Sequence, residues 1–166
     1  SICSANAYVI RAAMEESAAD GSWVLVESTC NQVNQDGGYT GMKPSDFISY
    51  IAGLANQIDF PTRRILLGGD HLGPNPWKKL AADKAMEKSK VLVRLYVEAG
   101  YRKIHLDTTM SCADDPQDSP LDLVVEAERS AELCSIAEET WQRYPETGAP
   151  VYVIGTEAPV HGGAEN

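Results

Sequence analysis

Four short apolar runs of this 166-residue chain each lead into an acidic residue, and these carboxylates are the first candidates for chemistry. The residues are Glu27, Asp70, Asp107 and Glu157. Each run has the length of one strand, and helix-length stretches separate the runs. The ends of successive parallel strands meet at one edge of a sheet, where parallel α/β proteins place their active sites. The pattern predicts that the four carboxylates converge there as catalytic groups.

Asp70 and His71 form the sharpest local signal in the sequence. They follow Gly68 and Gly69, which allow another backbone or a ligand to approach closely. In a metal-dependent site, His71 would ligate Zn²⁺ while Asp70 transfers a proton. The structural alternative is an Asp that caps the loop and a His that is bonded to the backbone.

The remaining histidines do not complete a metal site by themselves, because zinc takes three or four protein ligands. His105 lies in the middle of a predicted strand and points either into the barrel or toward the helices, and we expect it to be a packed core residue. His161 lies in a glycine-rich loop and is either a ligand candidate or an ordinary loop residue. Glu27, Asp107 and Glu157 also have a structural alternative, which is a buried carboxylate paired with a Lys, an Arg or a backbone N–H.

Two polar loops supply candidates for substrate binding. The loop 28–43 is rich in amides and glycines, and from it we expect Asn31, Gln32 and Gly38 to contact a substrate, together with Asn75 from the loop 70–76. The glycines of 37–41 would allow a lid to move over a phosphate or a substrate, although many such loops are only turns. The chain contains no Walker A motif and no Gly-x-Gly-x-x-Gly between a strand and a helix.

The positions of these residues depend on a regular alternation of strands and helices. The sequence predicts strands near 1–4 and at 23–27, 64–69, 103–107 and 151–156, with helices at about 6–19, 44–58, 79–99 and 119–141. Such alternation predicts an α/β fold with a parallel sheet and right-handed crossovers. It fits either a complete doubly wound sheet or the first half of a (β/α)₈ TIM barrel.

The barrel is the favoured alternative. A (β/α)₈ barrel takes about 250 residues, and this chain ends soon after its fifth predicted strand, before a helix that would cover it. We therefore expect residues 1–166 to be the N-terminal part of a single, truncated TIM-barrel domain.

Composition and charge restrict the partners. A net charge of −10 and a pI of about 4.7 argue against nucleic acid or an anionic membrane surface. No apolar run approaches the roughly 20 residues of a membrane span. The four cysteines show no Cys-x-x-Cys spacing and are interpreted as reduced thiols of a cytoplasmic protein.

Beyond these patterns, most of the chain resembles the accessory-subunit family of D-tagatose-1,6-bisphosphate aldolase. The segments that carry the resemblance are NQVNQDGGYTGM (31–42), GGDHLGPN (68–75), AMEKS (85–89), KIHLD (103–107), MSCADDP (110–116) and YVIGTE (152–157). This family acts in galactitol and N-acetylgalactosamine breakdown and has also been labelled tagatose-6-phosphate kinase. It is similar to the class II zinc-dependent fructose-bisphosphate aldolases, which are TIM barrels.

The resemblance implies roles for Asp70 and His71. They match the Asp-His pair that supplies the proton-transferring Asp and the first zinc ligand in class II aldolases. The other two zinc histidines of those enzymes lie on later strands, beyond Asn166. A complete site would perform retro-aldol cleavage to glycerone phosphate and glyceraldehyde 3-phosphate, with Zn²⁺ polarising the ketone. From its position alone, we expect Glu157 to orient a ligand or the reacting water.

The resemblance also implies partners. It predicts an oligomeric, mainly non-catalytic subunit that supports the activity and stability of a separate catalytic aldolase subunit acting on a sugar phosphate. The alternative is a self-sufficient class II metal-dependent aldolase. A tagatose-6-phosphate kinase is less favoured, because the sequence shows no nucleotide-phosphate cradle.

Overall fold

Strands and helices alternate along the chain in a computed structural model that describes residues 1–155. Within this range, five strands and four α-helices follow one another in the predicted order. They are β1 (Ile2–Cys3), α1 (Ala7–Asp20), β2 (Val24–Thr29), α2 (Pro44–Gln57), β3 (Ile65–Leu72), α3 (Ala82–Ala99), β4 (Lys103–Leu106), α4 (Leu123–Arg143) and β5 (Val151–Ile154).

The strands form one parallel sheet in sequence order, β1-β2-β3-β4-β5. Consecutive helices pack against each other, α1 on α2, α2 on α3 and α3 on α4, so that they cover the same face. A doubly wound sheet would reverse its strand order and carry helices on both faces. The sheet is therefore singly wound, as in part of a (β/α)₈ barrel, and the predicted fold class is confirmed.

The two faces of the sheet have different chemistry. Ser28 lies 3.1 Å from the Tyr96 hydroxyl of α3, so it faces the helices together with the fully buried Val26 and Ile104. Its neighbour Glu27 must then point to the opposite face, because successive strand residues alternate. That face corresponds to the interior of a barrel, and in residues 1–155 no helix covers it.

Polar residues occupy this interior face in two layers. In the first layer, Cys3 pairs with Glu27, Glu27 with Gly68, and Gly68 with Lys103 across four neighbouring strands. Asp70 and His105 lie two residues further along β3 and β4 and form the second layer. The strand register thus places charged groups where small barrels usually carry apolar side chains.

Local signals set several element ends. The Asn6 side chain accepts hydrogen bonds from the backbone N–H groups of Tyr8 and Val9 and so caps α1, and Gly21 ends it at a φ of 79°. Pro44 is the first residue of α2, a position where its missing N–H costs nothing.

Three predicted boundaries were wrong. β3 was predicted to end at residue 69, before a loop at 70–76. The strand instead continues to Leu72, because its pairing with β2 extends to Asp70. α3 begins at Ala82 and not at 79, after a 3₁₀ turn at Asn75–Trp77. α4 begins at Leu123 and not near 120, because the Asp122 side chain accepts a 2.8 Å hydrogen bond from Val124 N–H.

None of the helices in the described range is long and apolar enough to cross a membrane.

Candidate functional site

The Asp70 carboxylate lies between two imidazoles. Its Oδ1 is 3.0 Å from His105 Nδ1, and its Oδ2 is 3.1 Å from His71 Nδ1. The two imidazole rings are themselves in contact, with centroids 4.4 Å apart and an angle of 56° between their planes. Side chains from β3 and β4 thus form one cluster, which we call the Asp70 cluster (Asp70, His71 and His105).

A distortion of β3 allows adjacent residues to join the same cluster. The pairing of β3 with β4 shifts register between Gly69 and Leu72, and His71 has a φ of 51°. In a regular strand, Asp70 and His71 would point to opposite faces. A bulge with left-handed backbone turns the His71 ring back toward its neighbour. Non-glycine residues rarely adopt this φ, and such strain is concentrated at functional sites.

His105 has a different role from the packed core residue that was predicted. It is buried, yet its ring faces the polar interior layer and not the helices. The hydrogen bond to Asp70 raises the pKa of His105 above its ordinary value, against the opposing effect of burial. The alternation of Lys103, His105 and Asp107 in KIHLD was the signal in the sequence, because it places polar residues at every second position.

Asp70 is stabilised as a carboxylate in this setting. Burial on its own would raise the pKa of Asp70, but the hydrogen bond from His105 and the electrostatic influence of His71 and Lys103 lower that pKa to about 2. An ionised carboxylate can accept protons and hydrogen bonds and can ligate a cation.

Glu27 lies within β2 and not at its end, one layer below the Asp70 cluster. Its carboxylate is 3% exposed and forms an ion pair with Lys103. This contact is the structural alternative that the sequence had left open. A catalytic role for Glu27 stays a prediction.

Asp107 follows directly after β4 and joins a small cavity at the strand ends. Its Oδ1 accepts hydrogen bonds from the N–H of Thr109 at 3.0 Å and from the Thr109 hydroxyl at 2.7 Å. The cavity has a volume of about 190 Å³ and is lined by Thr29, Cys30, Asn31, His71, Asn75, Asp107 and Met110. It brings together four of the residues predicted to bind substrate or metal or to act in catalysis.

Gln32 and Gly38 have structural contacts within their own loop. Gln32 Oε1 accepts a 2.9 Å hydrogen bond from Thr29 N–H, and the Asn34 side chain accepts a 3.0 Å bond from Gly38 N–H. A Cβ at Gly38 would overlap the Gln32 carbonyl oxygen. These contacts shape the loop that carries Asn31, while direct substrate binding by Gln32 and Gly38 stays a prediction. Glu157 and His161 lie outside the described residues.

The Asp70 cluster has the donor set of a metal site. Its three ligand-capable atoms lie within 4.8 Å of one another. Two imidazoles and one carboxylate are ligand types that Zn²⁺ accepts. The residues therefore fit a divalent cation, and zinc in particular is a proposal.

The fold and this site together define a TIM-barrel-type α/β protein with a carboxylate–imidazole cluster at the carboxyl ends of its strands. Comparison with known proteins narrows the class. The family model for D-tagatose-1,6-bisphosphate aldolase subunit GatZ/KbaZ-like proteins matches residues 1–166. The chain belongs to this family, and the resemblance of its motifs is confirmed.

Individual relatives agree with this assignment. The D-tagatose-1,6-bisphosphate aldolase subunits GatZ of Salmonella heidelberg (strain SL476) and Salmonella newport (strain SL254) are 54% and 53% identical over 163 residues, 98% of this chain. The crystal structure of a probable tagatose 6 phosphate kinase from Sinorhizobium meliloti 1021 matches 94% of this chain at 51% identity, with a TM-score of 0.85. The chain spans 38% of the length of each of these proteins.

Proposed function

We propose that the full-length protein is an accessory subunit of D-tagatose-1,6-bisphosphate aldolase that supports the activity and stability of a separate catalytic subunit. The observation that carries this proposal is the 54% identity to proteins named as GatZ subunits, across 98% of the chain. The catalytic partner subunit, the sugar-phosphate ligand and an oligomeric assembly are parts of the same proposal. So is the expectation that residues 1–166 form the N-terminal part of one TIM-barrel domain. The cytoplasmic location stays a prediction.

The strand-end cavity suits a polyhydroxylated ligand. Asn31 and Asn75 each carry an amide that can both donate and accept hydrogen bonds, and Asp107 accepts them. Sugar hydroxyls offer the complementary donors and acceptors. We therefore propose that these three residues contact the hydroxyl groups of a sugar phosphate.

A second candidate is a self-sufficient metal-dependent aldolase, and the Asp70 cluster favours it. His71, together with ligands further along the full-length chain, would hold Zn²⁺, which when bound supplies Lewis-acid polarisation of a carbonyl oxygen. Asp70 would take or return a proton at a substrate hydroxyl, because its carboxylate lies 3.1 Å from the proposed metal ligand His71. A kinase role, named for the Sinorhizobium neighbour, is less favoured because this chain carries no Walker A sequence.

An aldolase assay with the full-length protein separates these functions. We expect no cleavage of D-tagatose 1,6-bisphosphate by this protein alone with added Zn²⁺. Addition of this protein to the catalytic subunit should increase the rate and the thermal stability of that subunit. Full activity without the catalytic subunit would instead support the self-sufficient aldolase. ATP-dependent phosphorylation of tagatose 6-phosphate would support the kinase.

A further inference from the structure

His105 is built into the Asp70 cluster through both of its ring nitrogens. Its Nδ1 lies 3.0 Å from Asp70 Oδ1, and its Nε2 lies 3.4 Å from the carbonyl oxygen of Gly155. The backbone nitrogen of His71 lies 3.4 Å from the same Nδ1. Both ring nitrogens therefore contact groups of the protein itself. A histidine that ligates a metal must direct one nitrogen lone pair at the ion. The geometry of His105 is that of a residue that holds its neighbours and does not itself ligate the ion.

Asp70 connects His105 to His71. One carboxylate oxygen contacts His105 and the other lies 3.1 Å from His71 Nδ1. A carboxylate beside one ring nitrogen fixes the orientation of a histidine and directs the other nitrogen to a metal. The left-handed backbone of His71, with a φ of 51°, is not a conformation that the chain adopts by default. The Asp70 carboxylate and the ring of His105, whose centroid is 4.4 Å away, hold the His71 ring in place.

The surroundings strengthen these contacts. The side chains of His105, Asp70 and His71 are 10%, 16% and 20% exposed, so little water competes for the hydrogen bonds. The three groups come from two neighbouring strands, and strands hold side chains more rigidly than loops do.

We propose that His105 is a positioning residue that acts through Asp70 to orient the His71 imidazole toward a divalent metal ion. This requires that His71 binds a cation, but it does not require that the protein cleaves a sugar phosphate. Failure of the aldolase assay and failure of this proposal are therefore distinguishable.

Two matched substitutions test it in the full-length protein. In His105→Asn, the side-chain amide nitrogen occupies nearly the place of Nδ1 and can still donate to Asp70. In His105→Gln, the amide lies nearer the place of Nε2 and does not match that donor position. Both variants are polar and similar in size, and circular dichroism and thermal unfolding would verify that each is folded. The probe is Co²⁺ alone, measured by titration calorimetry and by visible absorption of the bound ion.

We expect His105→Gln to weaken Co²⁺ binding by about 10- to 100-fold, the usual effect of losing an outer-shell partner of a metal ligand. His105→Asn should keep most of the affinity and the wild-type absorption spectrum, because the coordinating atoms are unchanged. If both variants lose affinity equally and the Asn spectrum changes, His105 is itself a ligand and the proposal is wrong. Wild-type affinity in His105→Gln, or no binding of Co²⁺ by the wild type, would overturn it as well.

Discussion

The carboxylate of Glu27 on β2 forms an ion pair with the ammonium group of Lys103 on β4, across the strand that separates them. The two residues can meet because Gly68 of β3 lies between them in the register and has no side chain. A Cβ at that position would lie 2.9 Å from Glu27 Cγ. In the layer below the Asp70 cluster, Lys103 therefore neutralises the buried Glu27 carboxylate, on the face that no helix of the described range covers.

The substitution Gly68→Ala should disturb this pair. The new methyl group would push the Glu27 side chain away from Lys103, and overpacking of this kind costs about 1–3 kcal/mol. Gly53→Ala is the matched control, because a Cβ at that α2 position meets no atom within 4 Å, and alanine favours helix by up to about 1 kcal/mol. Urea unfolding of the full-length variants measures both effects. Equal stability of Gly68→Ala and the wild type would contradict this packing.

Removing the charge of Lys103 alone should lower the free energy of unfolding more than removing the charges of both Glu27 and Lys103. Lys103→Met leaves the Glu27 carboxylate, 3% exposed, without its counter-charge, and a broken buried pair costs about 3–5 kcal/mol. The double variant Glu27→Gln/Lys103→Met removes the buried charge and should regain part of that loss. A double-mutant cycle of unfolding free energies tests this coupling. Strictly additive effects would show that the two side chains do not interact.

The amide-rich loop depends on Gly38 more than on Gly41. Both glycines have left-handed backbone, with φ values of 55° and 78°, so alanine at either position costs about 1–2 kcal/mol in strain. Only at Gly38 would a Cβ also meet the Gln32 carbonyl, while Gly41 has open space around it. Gly38→Ala should therefore be the more destabilising change and should increase amide hydrogen exchange in residues 31–42. Equal effects of the two substitutions would contradict the contact.

Low pH should weaken the ion pair between Asp115, in the loop that follows β4, and Arg129 of α4. Asp115 accepts two hydrogen bonds from the Arg129 guanidinium, at 2.7 and 2.8 Å, and these bonds lower the pKa of Asp115. A carboxyl group whose pKa is lowered by folding stabilises the protein above its unfolded pKa of about 3.9 and loses that contribution as the pH falls through the folded value. We expect Asp115→Asn to cost about 1.5–3 kcal/mol at about pH 6, and the difference from the wild type to shrink below about pH 4. A difference that does not change with pH would exclude this ion pair.

The fold was largely predictable because its signals are local. Apolar strand runs and the helix-length stretches between them are read within a few residues, and together they gave the order of strands and helices. Local signals could not distinguish a singly wound sheet from a doubly wound one, because that choice depends on which strands pair. The extension of β3 to Leu72 was not predictable for the same reason, because it depends on strand pairing. Pairing with β2 overrides the loop-forming composition of residues 70–76.

The sequence predicted that candidate residues at strand ends converge, but it did not predict the orientation of a residue within a strand. Asp70, His71 and Asp107 meet near the same edge because parallel strands place their ends together. His105 was missed because its position within a strand does not reveal which face its ring points to. Gln32 and Asn31 both carry side-chain amides, which can form hydrogen bonds with their own loop as readily as with a ligand. The sequence does not show that Gln32 bonds within its loop, as it does to Thr29 N–H.

The accessory role is tested most directly by substitution of Asp70→Asn in the full-length protein, assayed together with the catalytic subunit. Asn retains the shape of Asp70 but removes its charge, and size-exclusion chromatography would verify that the two subunits still associate. We predict that the variant still increases the rate of D-tagatose 1,6-bisphosphate cleavage by its partner. Loss of that increase in a folded variant that still binds the catalytic subunit would contradict the account and identify the Asp70 cluster as part of the catalytic machinery.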